Sequence, residues 1–547
     1  MRGAVRGVRE WIVAAAGFGA LAVAFTYPMS LHLASLSRTD SADGQFSIWN
    51  VAWVAHALIT QPRHLLDANI FYPRPHTLVY SETNIAAGTL AVPAYWFTRN
   101  AYVAHNFVLV LSFVLGAMSM YYLVRYLVGD RRAAIVAAIV FAFTPHLFAH
   151  LQHVQLLMTA GIPLALLSFH RLADSPTKGR GVTLGVVMAA EAYACAYYAV
   201  FVMLMVPVAT LVVAGVRRLW QSRPYWTAIA LAALVAVALT LPLAVQYLAL
   251  QHETGFVREL SEAREFSADA RAYLASSSYA HRWMLPLIGR WKEVLFPGFT
   301  ALVFGVAGAL AGWRSTPRNR EIVLVYATLG VLAWWVSLGP AAGLYTALYS
   351  WVPGFTFLRA ASRFGLIVSF ALAVLAGFGV SALLARVPRP GVVFAVVAAL
   401  AFGELIEPGS YRPVRPVAPA YRVLAHLPRG GLLELPVYSR RFAFMRARYM
   451  LGSTAHWQPL VNGYSDYMPR DFEAIEGQLG TFPSAESFAL LQRDQVRYAI
   501  FHVKDYKGAQ FPALLNRLAT FAPYLQRLYA DDQMLLYEIT AYPTAAR

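Results

Sequence analysis

Long apolar stretches separated by short polar ones set the pattern of this chain. The run 11–31 is long enough, at about 1.5 Å of helix rise per residue, to cross the ~30 Å hydrocarbon core of a bilayer. Comparable runs follow at 103–123, 133–148, 154–170, 226–250, 299–313, 322–338, 364–384 and 391–406, and 182–216 has room for two short crossings. The pattern predicts about eleven membrane-spanning helices. The first is read as an uncleaved helix, because a cleaved signal peptide has a shorter apolar region. The run 85–97 is too short to cross and reads as a re-entrant or interfacial piece.

Basic residues fix the expected sidedness. Arg2, Arg6 and Arg9 precede the first span, and further clusters lie at Arg125 to Arg132, Lys178 and Arg180, Arg217 to Arg223, Arg314 to Arg320, and Arg386 and Arg389. The hairpins 146–153 and 192–199 carry no Lys or Arg. Positive charge favours inner loops, so the amino end is expected inside and the carboxyl end outside. From Pro408 the pattern changes. Pro413, Pro416 and Pro419 form a linker, after which 432–438, 497–502 and 534–539 read as strands and 484–493 and 512–521 as helices. The expected fold is therefore an α-helical polytopic membrane protein, with a membrane module at 1–408 that carries an external loop at 32–102. A small external α/β domain occupies 409–547.

Composition agrees with this reading. Hydrophobic residues make up 58% of the 547-residue chain and charged residues 13%, which excludes a soluble globular protein of this size. A net charge of +17 raises nucleic acid as a partner. The basic residues are spread over short runs between apolar segments, however, and topology accounts for them better. The single cysteine, Cys195, permits no intrachain disulfide and reads as a packed small side chain.

Candidate chemistry gathers in the expected outer segments. The stretch TDSADGQFSIWNVAW places Asp40 and Asp43 just after the first span, ahead of a helix whose Trp49 and Trp53 share one face at the expected membrane surface. Asp43 reads equally as an N-cap for a helix beginning at Gly44 and as a catalytic carboxylate. Glu82 is either an exposed loop acid or a second acid for sugar hydroxyls or a metal. His146, His150 and His153, spaced by four and three, would share one face of one helix, as a divalent-metal or phosphate site requires; interfacial hydrogen bonding is the plainer reading. Glu293, before LFPG, stands out from a charged loop that otherwise reads as a solvated helix face. Glu191 sits in an apolar hairpin, and Tyr464 and Asp466 in VNGYSDY either touch a glycan or belong to a turn built on Asn462 and Gly463. No nucleotide-binding loop is seen, so no nucleotide cofactor is expected.

The stretches DGQFSIWNVAW, FYPRPHTLVYSE, FAFTPHLFAHLQHVQLL, EVLFPG and FLRAASRF resemble a bacterial group of the GT-C superfamily of membrane glycosyltransferases, over nearly the whole chain. That resemblance implies a hexosyl- or pentosyltransferase of the bacterial cytoplasmic membrane. It would take sugar from a polyprenyl-phosphate donor, invert the anomeric carbon and pass the sugar to a glycan, lipid or protein acceptor, among membrane lipids and with no nucleic acid. The first-loop base falls on Asp43, with Asp40 second. The paired acidic dipeptide of protein mannosyltransferases is absent. Charge left on the donor phosphate calls for arginine or a metal ion, a role that falls on Arg359 and Arg363, which otherwise snorkel to headgroups. The rival readings are a lipid-carrier flippase or transporter and a non-catalytic scaffold of envelope assembly.

Overall fold

The computed structural model describes residues 2–352, 354–407 and 409–543. Pro408, the side chains of Arg2 and Arg6, and residues 544–547 of the expected terminal domain lie outside the described residues. The chain forms two compact units, one of residues 1–31 and 107–410 and the other of 32–106 and 411–547. The segment expected as a loop of the membrane module is thus grouped with the carboxyl-terminal segment.

The first unit is helical. Among the described residues, eight helices are long and apolar enough to cross a bilayer: Val8–Phe25, Ala101–Val128, Arg131–Ala149, Val154–Asp174, Ala196–Arg217, Arg223–Thr254, Pro317–Ser337 and Ala361–Leu384. Two more expected spans, Phe299–Trp313 and Pro390–Leu405, are apolar helices of 15 and 16 residues. The stretch 182–216 divides, as expected, into Lys178–Ala194 and Ala196–Arg217, broken at Cys195. Phe299–Trp313 packs along Gly365–Leu384. Close approach there depends on small residues: a Cβ on Gly308 would lie 1.8 Å from the Leu375 carbonyl oxygen, and one on Gly379 would lie 2.2 Å from that of Phe304. At one end of the bundle Arg217 holds Glu321 at 2.7 Å and Asp174 at 2.9 Å, and Arg318 holds Asp174 at 2.7 Å. Basic residues from two different loops, Arg217 and Arg318, therefore share one end.

The second unit is built around the helix Ala42–Thr60, which packs against Ile85–Thr98 and Ala447–Ser453. Trp49 and Trp53 are fully buried in its core, not at a membrane surface as their spacing suggested. Their indole N–H groups donate to Asn69 Oδ1 and to the Leu65 carbonyl, each at 3.0 Å. A buried indole donor needs such a partner, and the loop supplies both. Asn69 in turn donates to Ser453 Oγ at 3.0 Å and to the Gln458 carbonyl at 3.1 Å. Backbone bonds from Tyr72 to Leu460 and from Leu460 to Asn69 run the loop beside 458–462, and that segment bonds onward to Leu432.

Leu432 belongs to a four-stranded sheet in the order Gly431–Leu435, Val496–His502, Met534–Ile539, Leu525–Ala530, its first pair parallel and the others antiparallel. Leu433 pairs with Ala499, and Ala499 with Tyr537. Three expected strands are present, the first ending at Leu435 because Pro436 has no N–H to continue a ladder. The expected helices appear as Ala485–Arg493 and Gln510–Thr520. The strand Leu525–Ala530 and the helix Arg470–Leu479 add to what the sequence showed.

Candidate functional site

In the second unit, one acid of the first loop, Asp43, meets the carboxyl-terminal segment. Ser41, not Asp43, caps Ala42–Thr60, its Oγ accepting from the Gly44 N–H at 3.0 Å. The chain from Arg38 crosses so close that a Cβ on Gly44 would lie 2.0 Å from the Arg38 carbonyl oxygen. Asp43 instead occupies the first helical turn, where the positive end of the helix dipole favours a carboxylate. The Tyr464 hydroxyl donates to Asp43 Oδ1 at 3.4 Å, and the Tyr464 ring stands edge-on to Phe46. Asp40 is placed differently: it accepts from Arg38 in an ion pair at 3.1 Å.

Glu82 lies in the same unit. Asn50, buried on the Ala42–Thr60 helix, donates to the Glu82 carbonyl at 3.0 Å, and the Ser81 hydroxyl donates to Asp466 at 2.7 Å. The Tyr467 N–H donates to the Tyr80 carbonyl at 2.9 Å. Thus 464–467 fastens onto both acid-bearing stretches of the first loop. Its turn is fixed by Asn462, whose side chain bonds both backbone groups of Glu434, at 2.7 and 2.9 Å.

In the first unit, a second group forms around Arg363. Its guanidinium lies 4.1 Å from the centre of the Tyr197 ring, and the Tyr197 hydroxyl accepts from the Arg359 N–H at 3.0 Å. The Arg359 guanidinium lies over Phe266 at 5.5 Å. Burial pushes the Glu293 carboxyl above its ordinary value, with Arg363 and Ser362 drawing it back. The next residue, Val294, accepts from His146 Nδ1 at 3.1 Å, so that Glu293, Arg363 and His146 converge. Tyr197 carries both arginines of FLRAASRF and was not singled out in the sequence, where it is one aromatic among several in an apolar hairpin.

The three histidines do not share a helix face. The helix Pro145–Ala149 ends before His150, and a turn separates it from the short Val154–Leu157 helix. The rings of His146 and His150 lie 4.5 Å apart, and those of His150 and His153 6.2 Å. His150 Nδ1 donates to the His146 carbonyl at 2.8 Å, and burial holds the His150 imidazole well below its usual pKa, hence neutral. Among the described residues, no group of three or more His, Cys, Asp or Glu side chains is placed to hold a metal ion. Glu191 is buried at the end of Lys178–Ala194, tight against Gly161.

The chain's fold, a polytopic helical unit and a compact unit that groups the first loop with a terminal α/β segment, is shared with a solved structure. The comparison that carries this is with the arabinofuranosyltransferase AftD from mycobacteria. Its mutant structure matches with a TM-score of 0.55 at 18% identity, over 97% of this chain and 41% of that one. The chain spans about two fifths of the length of AftD. Two structures of ArnT from Cupriavidus metallidurans also match. The form bound to undecaprenyl phosphate has a TM-score of 0.41 at 14% identity over 97% of this chain and 98% of that one, and the apo form 0.42 at 14% over 98% and 100%. No protein-family model matches the sequence, and no curated protein does.

Proposed function

We propose that this protein is a membrane glycosyltransferase that moves a sugar from a polyprenyl-phosphate donor to a hydroxyl acceptor on the external face of a bacterial cytoplasmic membrane, inverting the anomeric carbon. The observation that carries the reading is Asp43 on the first turn of the central helix of its unit, met by Tyr464 from the terminal segment, in a chain with the fold of AftD. Asp43 serves as general base. It accepts the proton of the acceptor hydroxyl as that oxygen bonds to the anomeric carbon, while the bond from that carbon to the donor phosphate oxygen breaks. The leaving polyprenyl phosphate carries the negative charge, which Arg363 and Arg359 are suited to take up. Glu82 binds sugar hydroxyls. Asp40, already paired with Arg38, is the weaker base.

The test uses purified full-length protein and a panel of radiolabelled hexosyl and pentosyl polyprenyl phosphates, with membrane extract as acceptor. Wild-type transfer that is lost in folded Asp43→Asn and kept in Asp40→Asn supports the assignment. Lipid movement across vesicles without a new glycosidic bond would replace the enzyme with a flippase, and equal transfer by wild type and Asp43→Asn would remove Asp43 from the chemistry.

A further inference from the structure

The loop between Arg223–Thr254 and Phe299–Trp313 has an unusual surface. Tyr279, Trp283, Leu287 and Trp291 recur at every fourth residue and are 51%, 59%, 76% and 40% exposed, although none lies in a membrane-spanning helix. Four large side chains left this open within one short segment mark a surface that meets something apolar. The sequence from 271 to 292 contains Arg271, Arg282, Arg290 and Lys292 and no acid. Arg282 lies over the Tyr279 ring at 4.4 Å.

Hydrogen bonds within the same unit place this loop at the ends of spans. The Ala268 N–H donates to the Ser337 carbonyl at 2.9 Å, and the Tyr273 and Ser337 hydroxyls bond at 2.7 Å, at the last residue of Pro317–Ser337. The Tyr279 N–H donates to the Ile406 carbonyl at 3.0 Å, one residue past Pro390–Leu405, and His281 Nε2 meets Glu404 at 3.0 Å. Trp334 and Trp335, both exposed, occupy the same final turn of Pro317–Ser337. Two apolar helices thus end beside the start of this exposed segment.

We propose that 279–292 is an interfacial anchor, lying in the headgroup region of the leaflet at those helix ends, with Arg282, Arg290 and Lys292 on anionic phospholipid headgroups. Aromatic rings with one polar edge are suited to that depth, and basic residues beside them supply the attraction to anionic lipid. The anchor does not depend on the transfer reaction. It fixes the height and orientation of the Glu293 to Gly298 stretch, which follows it directly and carries the carboxyl beside Arg363.

The test uses the full-length chain in vesicles. Cys195 is buried, so a cysteine introduced by Leu287→Cys is the thiol that an environment-sensitive maleimide dye reaches; Trp283→Cys gives a second position should the first fail to fold. Leu234→Cys, on the exposed face of a span, and Asn516→Cys, exposed in the other unit, are the deep and aqueous references. The dye at 287 is expected to emit to the blue of the dye at 516. It should be quenched more by a nitroxide near the headgroup than by one deep in the acyl chain, the reverse of the dye at 234. In vesicles containing phosphatidylglycerol, neutralising Arg282, Arg290 and Lys292 to Gln should lower the ratio of inserted to lifted segment by about fivefold per residue, with no such change in phosphatidylcholine alone. Emission and quenching at 287 equal to those at 516 would overturn the anchor. Equal insertion in both lipids, untouched by the substitutions, would overturn its assignment to anionic headgroups.

Discussion

Asn69→Leu tests whether the first loop and the terminal segment are one cooperative structure. Asn69 is 3% exposed, accepts the Trp49 indole N–H and donates to Ser453 Oγ and the Gln458 carbonyl. Leucine keeps the volume and offers none of these bonds. Ser453 retains a partner through its own donation to the Met450 carbonyl at 2.7 Å. The Trp49 N–H and the Gln458 carbonyl each lose one, at about 1–3 kcal/mol for a buried polar group left unpaired. Apolar burial by leucine offsets part of this, leaving about 3 kcal/mol. In a unit of this size each kcal/mol moves the midpoint by roughly 2–4 °C, so the transition should fall by roughly 6–12 °C. Differential scanning fluorimetry in detergent reads it, since both buried tryptophans report on this core. In a Trp49→Phe background, where no indole N–H remains to orphan, the same substitution should cost about 1–2 kcal/mol less. A shift below about 2 °C, or full additivity of the two changes, would refute the reasoning.

Gly308→Leu should abolish stable insertion or lower the melting midpoint steeply, because its Cβ has no space beside the Leu375 carbonyl; Gly391→Ala, with open space at its Cβ, should be silent in the same detergent-stability assay. Burial raises the Glu407 carboxyl to about 8, opposed by the Ser277 hydroxyl and Arg282. A carboxyl raised on folding stabilises fully below its unfolded value near 4.5 and loses that contribution as pH rises toward 8. Melting midpoints measured across pH 4.5 to 8 should therefore fall less in Glu407→Gln than in wild type, and parallel curves would contradict the assignment. Arg363→Lys keeps the charge but loses the planar stack on Tyr197. Under the proposed reaction it should raise the donor KM by about tenfold, and Arg363→Gln by more; unchanged KM in both would release Arg363 from the donor.

The spans and most of the terminal strands were legible in the sequence, because burial in lipid or in a sheet leaves a period that local composition carries. What was not legible depends on partners far along the chain. Trp49 and Trp53 read as interfacial since their spacing fits a membrane surface; their burial follows from Asn69, Ser453 and Gln458, and Ser453 stands 384 residues from Asn69. Ser41 rather than Asp43 is the cap because the helix begins at Ala42, two residues earlier than the expected start at Gly44. The histidines fail to share a face because the helix stops at Ala149. Arg363 and Glu293 were each recognisable as charges beside spans, whereas their convergence with Tyr197 and His146 is tertiary.

Sugar transfer by folded Asp43→Asn tests the reaction most directly. Wild-type protein should transfer labelled sugar from a polyprenyl-phosphate donor. The variant, with the wild-type melting midpoint and donor binding, should lose at least about a hundredfold in kcat, the usual scale of a general base. Transfer by Asp43→Asn at the wild-type rate would contradict the assignment.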